Sequence, residues 1–320
     1  MRNFLIIIVS LILLTTLYNI WDNNRVTVVR EEIAINDLPS QFEGFRILLL
    51  SDLHSKRFGD GQKNILRLIN QLEYDIIVVA GDMQDETQDI EPLIELIRGV
   101  GARAPIYYVS GNTGPFDNNF KNGDVTSVGK VLISEGEILL LQPLQVFREN
   151  QAIWLVPIHS YNNTNRLINL AEYGINNPYR GKNSEYYDRM LAFNTQKKLT
   201  FENIKPEEVM ICVSHYPLPP QELDEPADNP PYDLVLAGHY HGGQIRLPFI
   251  GAIYIPFGDS RYDGLFPNED HVSGLYQGKI TQQYISRGLG ASALIPWLKF
   301  RLFNTPEVNL LTLTQSENSD

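Results

Sequence analysis

The stretch FRILLLSDLH (45–54) opens with an apolar run too short for a helix and ends in a serine, a carboxylate and an imidazole. A continuous run of this length reads as a strand buried on both faces of a sheet. DIIVVAGD (75–82), PIYYVSGN (105–112), VMICVSH (209–215) and YDLVLAGH (232–239) repeat the plan, each a buried strand closed by a polar group. Helical spacing intervenes: GQKNILRLINQLE (61–73) places apolar residues at 65, 66, 68, 69 and 72. IEPLIELIRG (90–99), a stretch near 125–135 and residues 188–203 also read as helices. Further strands are expected at VTVVREEIAI (26–35), ILLL (138–141), LQVFRE (144–149), AIWLVPI (152–158) and in short pieces through 243–314. This alternation predicts an α/β fold, strands layered against helices.

In α/β sheets ligands bind beyond the carboxyl ends of strands, which is where the polar residues stand. Asp52 and His54 follow the first run, two residues apart. Period-two alternation on an extended segment would turn both side chains the same way. Asp82 follows a glycine, Asn112 follows another, His215 ends the fourth run, and His239 and His241 close the fifth within GHYH. Singly, each has an ordinary explanation: an aspartate after a strand caps a helix or a turn, and a buried histidine is commonly a satisfied core residue. Together they are harder to dismiss. Four of the six histidines stand in step with two aspartates and an asparagine, the donor mix that first-row divalent ions take. Seven donors exceed the need of one ion and suit two, roughly 3.5–4 Å apart, gripping a phosphoryl oxygen.

Composition narrows the function from the other side. The chain has 320 residues, 43% of them hydrophobic, enough for a proper core. With 38 acidic against 26 basic side chains the formal charge is −12. Broad binding to nucleic acid needs a basic face and is disfavoured. A small phosphorylated substrate is compatible, because bound divalent ions make a site locally positive. Cys212 is the single cysteine, so no intrachain disulfide or thiolate cluster exists. It reads as a small core residue.

The amino-terminal region differs from all of this. FLIIIVSLILLTTLYNIW (4–21) contains no charge. At 1.5 Å per residue it spans about 27 Å, close to a hydrocarbon core. Tyr18 and Trp21 fall where interfacial anchors sit, and no A-x-A-like cleavage site follows. Residues 1–25 are therefore expected to be a retained membrane anchor, an uncleaved signal, and 26–320 one domain. The few positive charges before the run favour a single-pass arrangement with the domain extracytoplasmic.

The order D-x-H, G-D, G-N, H, G-H-x-H resembles the signature of the calcineurin-like metallophosphoesterases. GHYHGGQIRLP (238–248), SRGLG (286–290) and RLFNTPEVNLLTL (301–313) are similar to the membrane-associated bacterial branch of that superfamily. The resemblance covers about residues 26–314. It implies a four-layer αββα sandwich of two mixed sheets with helices outside. It also implies a two-metal hydrolase of phosphoric esters or anhydrides. Carried over by motif, Asp52, His54, Asp82 and His241 would hold one ion. Asp82 (bridging), Asn112, His215 and His239 would hold the other. Manganese, iron and zinc are the expected ions.

One departure stands out. Most members read G-N-H, and here the run is Gly111-Asn112-Thr113-Gly114. The missing histidine sits over the leaving group in the family, where a general acid contributes about 10²–10⁴-fold. A good leaving group, such as that of a phosphoanhydride, needs it least. The family's UDP-2,3-diacylglucosamine hydrolases also lack it and cut a pyrophosphate beside a membrane. The expected substrate is thus a small phosphodiester or pyrophosphate, lipid-linked or nucleotide-linked; no protein partner is inferable. The alternative is a non-catalytic metal- and phosphate-binding scaffold that retains the cage. His159 and Arg287 are candidate substrate contacts, Tyr216 and Tyr240 candidate walls. SALIPWLKFRLF (292–303) is a candidate to graze the bilayer or receive an acyl chain, or else a partly buried helix.

Overall fold

Alternate residues of the strand at 46–50 face opposite ways. Ile47 and Leu49 enter a core shared with Ile211, Val213 and Leu236, while Leu48 and Leu50 enter one shared with Ile65, Ile69, Leu93 and Ile97. A strand buried on both faces needs a partner layer on each side, and the computed structural model supplies them. It describes residues 1–158, 162–176, 184–225, 231–255, 264–292 and 299–316.

The first sheet contains β1 (Thr27–Ile35), β2 (Arg46–Leu50), β3 (Ile76–Ala80), β4 (Ile106–Val109), β5 (Glu137–Leu139) and β15 (Glu307–Gln315), in the order β1-β15-β2-β3-β4-β5. β2 to β5 are parallel, and β15 lies antiparallel to β2 but parallel to β1. The second contains β6 (Leu144–Arg148), β7 (Gln151–Pro157), β8 (Met210–Val213), β9 (Leu234–Ala237), β13 (Gly274–Gln277) and β14 (Gln282–Ile285), ordered β13-β14-β9-β8-β7-β6. Both sheets are mixed. Their inner faces meet in the first core. Outside the first sheet lie α2 (Lys63–Ile69) and α3 (Glu91–Val100); outside the second, Phe201 of α6 (Ser184–Glu202) and Leu223 of α7 (Pro220–Asp224) pack on Val156, Cys212 and Val235. The expected four layers are present. α4 (Ser127–Ser134) precedes β5, and α5 (Asn162–Asn176) packs on α6 through Leu167, Ala171 and Met190.

Two local expectations change. The helix expected over 61–73 is only Lys63–Ile69, because Gly61 and Gln62 take left-handed φ of 58° and 60°. The tail also builds a separate three-stranded sheet, β10 (Ile245–Leu247), β11 (Gly251–Ile255) and β12 (Gly264–Leu265).

The apolar run forms α1 (Arg2–Asn23), long and apolar enough to cross a membrane and with none of its apolar stretch buried in the protein. Its last turn is clasped to the domain. Asn23 Nδ2 donates to Arg301 O (2.7 Å) while Arg301 N donates to Asn23 Oδ1 (2.9 Å). Asp22, fully buried, accepts from Arg25 Nε (2.8 Å) and Thr305 Oγ1 (2.7 Å). The ring of Tyr18 lies 5.6 Å from that of Phe303.

Candidate metal centre

Five parallel strands end at one rim. Asp52 lies two residues beyond β2, Asp82 two beyond β3, Asn112 three beyond β4, His215 two beyond β8 and His239 two beyond β9. The segments leaving the strands are not extended. Asp52, His54, Asp82, His239 and His241 have φ of 52°, 47°, 50°, 72° and 50°. Left-handed backbone costs a non-glycine residue about 1 kcal/mol or more, so these turns are held against their preference. Asp52 N donates to Gly81 O (3.1 Å) and His54 N to Asp82 O (3.0 Å), tying the two turns together. The period-two argument for Asp52 with His54 is therefore corrected: tight left-handed turns, not strand alternation, bring them to the rim. His239 and His241 go to different groups.

Ligand-capable atoms of Asp52, His54 and His241 lie within 4.8 Å of one another, as do those of Asp82, His215 and His239; all six residues are buried. Asp82 touches both groups. Its Oδ2 is 3.2 Å from His215 Nε2 and 3.8 Å from His54 Nε2, while Oδ1 accepts from Thr113 N (2.7 Å). In the second group His215 Nδ1 contacts Ala80 O at 3.0 Å. With Nδ1–H donating there, Nε2 presents its lone pair. Asn112 Oδ1 (2.9 Å) and His239 Nδ1 (3.1 Å) converge on that same Nε2. In the first group His239 N donates to both Asp52 carboxylate oxygens, at 3.2 and 3.1 Å.

The donor set suits cations. His54 Nε2, His239 Nε2 and His241 Nδ1 are buried without a hydrogen-bond partner, and such atoms are costly unless something binds them. Burial also keeps the imidazoles neutral, as ligation requires. It lowers His54 to about 4 and His239 to about 3, and drives His241 well below its ordinary value. Burial raises Asp52 to about 6, neighbouring Asp82 adding to the effect. Burial opposes charge on Asp82 as well, yet His215 and the Thr113 N–H hold it at about 2. His215 is the converse: burial disfavours its charge, but Asp82 raises it to about 8. Glycines make room for the carboxylates. A Cβ on Gly111 would stand 2.2 Å from Asp82 Oδ1, and one on Gly238 would stand 2.4 Å from Asp52 Oδ2.

The other candidates separate from this cluster. Thr113 is no substitute acid, since its hydroxyl donates to Gln84 O (2.8 Å) and its N–H serves Asp82. Arg287 is tied to Ser273 (3.2 Å) and Glu307 (3.8 Å) and lines a separate cavity with none of the seven candidate ligands. His159 lies outside the described residues, as do 293–298 of the 292–303 segment. Tyr216 stands with its ring 4.4 Å from that of His239, as a wall of the site, and Tyr240 is buried in a small core with Ala252 and Val272.

Sequence reasoning missed the support behind His241. Arg301, fully buried, donates to the carbonyls of Asn304, Arg287 and Gly290, each at 2.8 Å. Asn304 Nδ2 in turn donates to His241 O (2.6 Å). Only the run RLFN had hinted at it, through the family resemblance.

Comparison with known proteins fixes the family. The calcineurin-like phosphoesterase model matches residues 45–243, which contain all seven candidate ligands. The chain belongs to that family. Its reaction class is accordingly metal-dependent hydrolysis of a phosphoric ester. The chain is 28% identical over 297 residues to the "Uncharacterized metallophosphoesterase YkuE" of Bacillus subtilis (strain 168), covering 91% of this phosphoesterase and 86% of that one. It is 27% identical over 275 residues to "Phosphodiesterase YaeI" of Escherichia coli (strain K12), covering 84% and 82%. A "Transmembrane protein with metallophosphoesterase domain" of Danio rerio is 24% identical over 295 residues, covering 90% of this chain but 57% of that protein. The phosphoesterase thus spans little more than half of that relative.

Proposed function

We propose that the chain is a membrane-anchored hydrolase of a phosphodiester or pyrophosphate bond in a lipid-linked or nucleotide-linked substrate. Residues 1–25 form its single-pass anchor and 26–320 its extracytoplasmic domain. Asp52, His54, Asp82 and His241 would hold one divalent ion, and Asp82, Asn112, His215 and His239 a second. Manganese, iron and zinc all suit these donors. Such a pair, when bound, stabilises charge on phosphoryl oxygens and makes water a nucleophile at neutral pH.

The chain's own residues prepare the site. Thr113 N–H aims Asp82, His239 N–H aims Asp52, and the Ala80 carbonyl fixes the His215 ring. With Thr113 turned onto Gln84, that position offers no acid to the leaving group, which favours an anhydride or a stabilised alkoxide. The observation that carries the reading is the joining of two buried, partner-poor donor groups through one carboxylate, Asp82.

An activated aryl phosphodiester tests it. The manganese-loaded chain should hydrolyse this compound, and chelation or Asp82→Asn should abolish turnover. Undiminished turnover by the metal-free protein or by Asp82→Asn would refute the assignment.

A further inference from the structure

A cavity of about 410 Å³ lies between the last turn of α1 and the metal centre. His54 forms one wall, and Ile20 and Asn23 of α1 form the opposite one; Lys56, Lys299 and Phe300 complete the lining used here. A candidate ligand and the end of the apolar helix thus share one space. The helix is not loosely apposed, because the Asn23–Arg301 clasp and the Asp22–Thr305 bond lock it in place.

The two lysines differ. Lys299 Nζ is neutralised by Asp85 (2.6 Å) and Glu86 (3.0 Å). Lys56 Nζ donates to the neutral carbonyl of Asn23 and sits 4.7 Å from the Phe58 ring centre. Among the described residues no carboxylate forms a salt bridge with it. Arg301 is a further cation in its surroundings, and the carboxylate of Asp22 offsets it only in part. A part-buried ammonium bonded to a neutral carbonyl gains from a nearby anion, and the cavity is where one can reach it.

We propose that this cavity is the substrate's headgroup pocket and that it takes an anionic phospholipid from the bilayer around α1. The scissile phosphate lies past His54, a second anionic or phosphate oxygen pairs with Lys56, and the acyl chain leaves between Ile20 and Phe300. Charge-assisted pairing with a phosphate is strong where water is excluded, and the amide-and-apolar mixture of Asn23, Ile20 and Phe300 suits the glycerol–acyl boundary. Lys56 is a specificity-determining residue. The inference rests on the phosphoesterase reading of the metal centre and narrows its substrate class.

The test uses the full, manganese-loaded chain in lipid nanodiscs with three probes: CDP-diacylglycerol, an anionic phospholipid with a pyrophosphate headgroup, its deacylated pyrophosphate diester and a soluble aryl phosphodiester. The wild type should prefer the lipid over the deacylated diester by about tenfold or more in kcat/KM. Lys56→Met and the cavity-filling Ile20→Trp should each lower the lipid-to-aryl ratio of kcat/KM by about tenfold, and Lys56→Arg should restore most of it. Binding of a non-hydrolysable phosphonate analogue of the lipid should weaken in parallel, a readout independent of turnover. Equal handling of lipid and deacylated diester would assign the pocket to a soluble phosphate compound and overturn the proposal. So would an unchanged ratio in both variants, or aryl turnover without lipid turnover. Failure on all three probes by the wild type would instead refute the phosphoesterase reading itself.

Discussion

The two halves of the metal centre are built differently. In the second half Asp82, Asn112, His215 and His239 contact one another, and His215 is anchored to Ala80. A proton satisfies most of this half, shared between His215 at about 8 and Asp82 at about 2, and leaves His239 Nε2 without a partner. The first half cannot be satisfied in this way. His54 and His241 are neutral, ring centres 4.9 Å apart, with buried nitrogens that lack partners, and Asp52 is held by the single main-chain N–H of His239. Its geometry depends on the Arg301–Asn304 support behind His241 and on the clasp that also grips α1. One half is organised by the sheets alone, the other jointly by the sheets and the segment that clasps α1.

The most damaging change to either half is one that strikes both. Asp82→Asn should lower kcat/KM on an aryl diester by roughly 10²–10³-fold or more, with ion content falling in both halves; loss of a single ion would show that Asp82 serves only one. Next comes a change confined to one side. Asn304→Ala should weaken the first ion by about 10–100-fold, the usual scale for support behind a ligand, and leave the second unchanged. Competition titration with a metallochromic chelator separates the two, and equal weakening would dissolve the distinction between the halves. Gly111→Ala and Gly238→Ala form a matched pair, because each new methyl strikes one carboxylate. The first strikes the shared Asp82 and should impair both halves; the second strikes Asp52 and should impair the first half alone, read as ion stoichiometry.

The smallest effect is in pH. Ligation needs neutral His215, whose value is raised to about 8, so loading of the second half must expel a proton below that pH. Its affinity should fall by up to about tenfold per unit as pH drops below 8. The first half should hold steady until Asp52 begins to protonate near 6. Calorimetry at pH 7 in buffers of different ionisation enthalpy should therefore find proton release with the second half only. Release with both, or with neither, would contradict the comparison.

Much of this was legible in the chain. Runs such as FRILLLS and DIIVVAGD announce strands covered on both faces, and the polar residue after each run marks the rim. What local pattern could not show is how Asp52, His54, Asp82, His239 and His241 reach it. Their left-handed φ is imposed by cross-turn hydrogen bonds, such as His54 N to Asp82 O, against what aspartate and histidine prefer. The start of α2 likewise departs from the apolar spacing where Gly61 and Gln62 take left-handed φ. The clasp joins Asn23 to Arg301, 278 residues apart, and no periodicity records such a contact. The importance of Lys56 likewise emerges only when the cavity beside it is seen.

The central claim is a two-ion centre spanned by Asp82. Anomalous diffraction from crystals of the manganese-loaded chain tests it most directly. Two peaks about 3.5–4 Å apart, with Asp82 between them and the Asp52 and His215 groups on opposite sides, are the expected result. A single peak, or two peaks without Asp82 between them, would contradict the account.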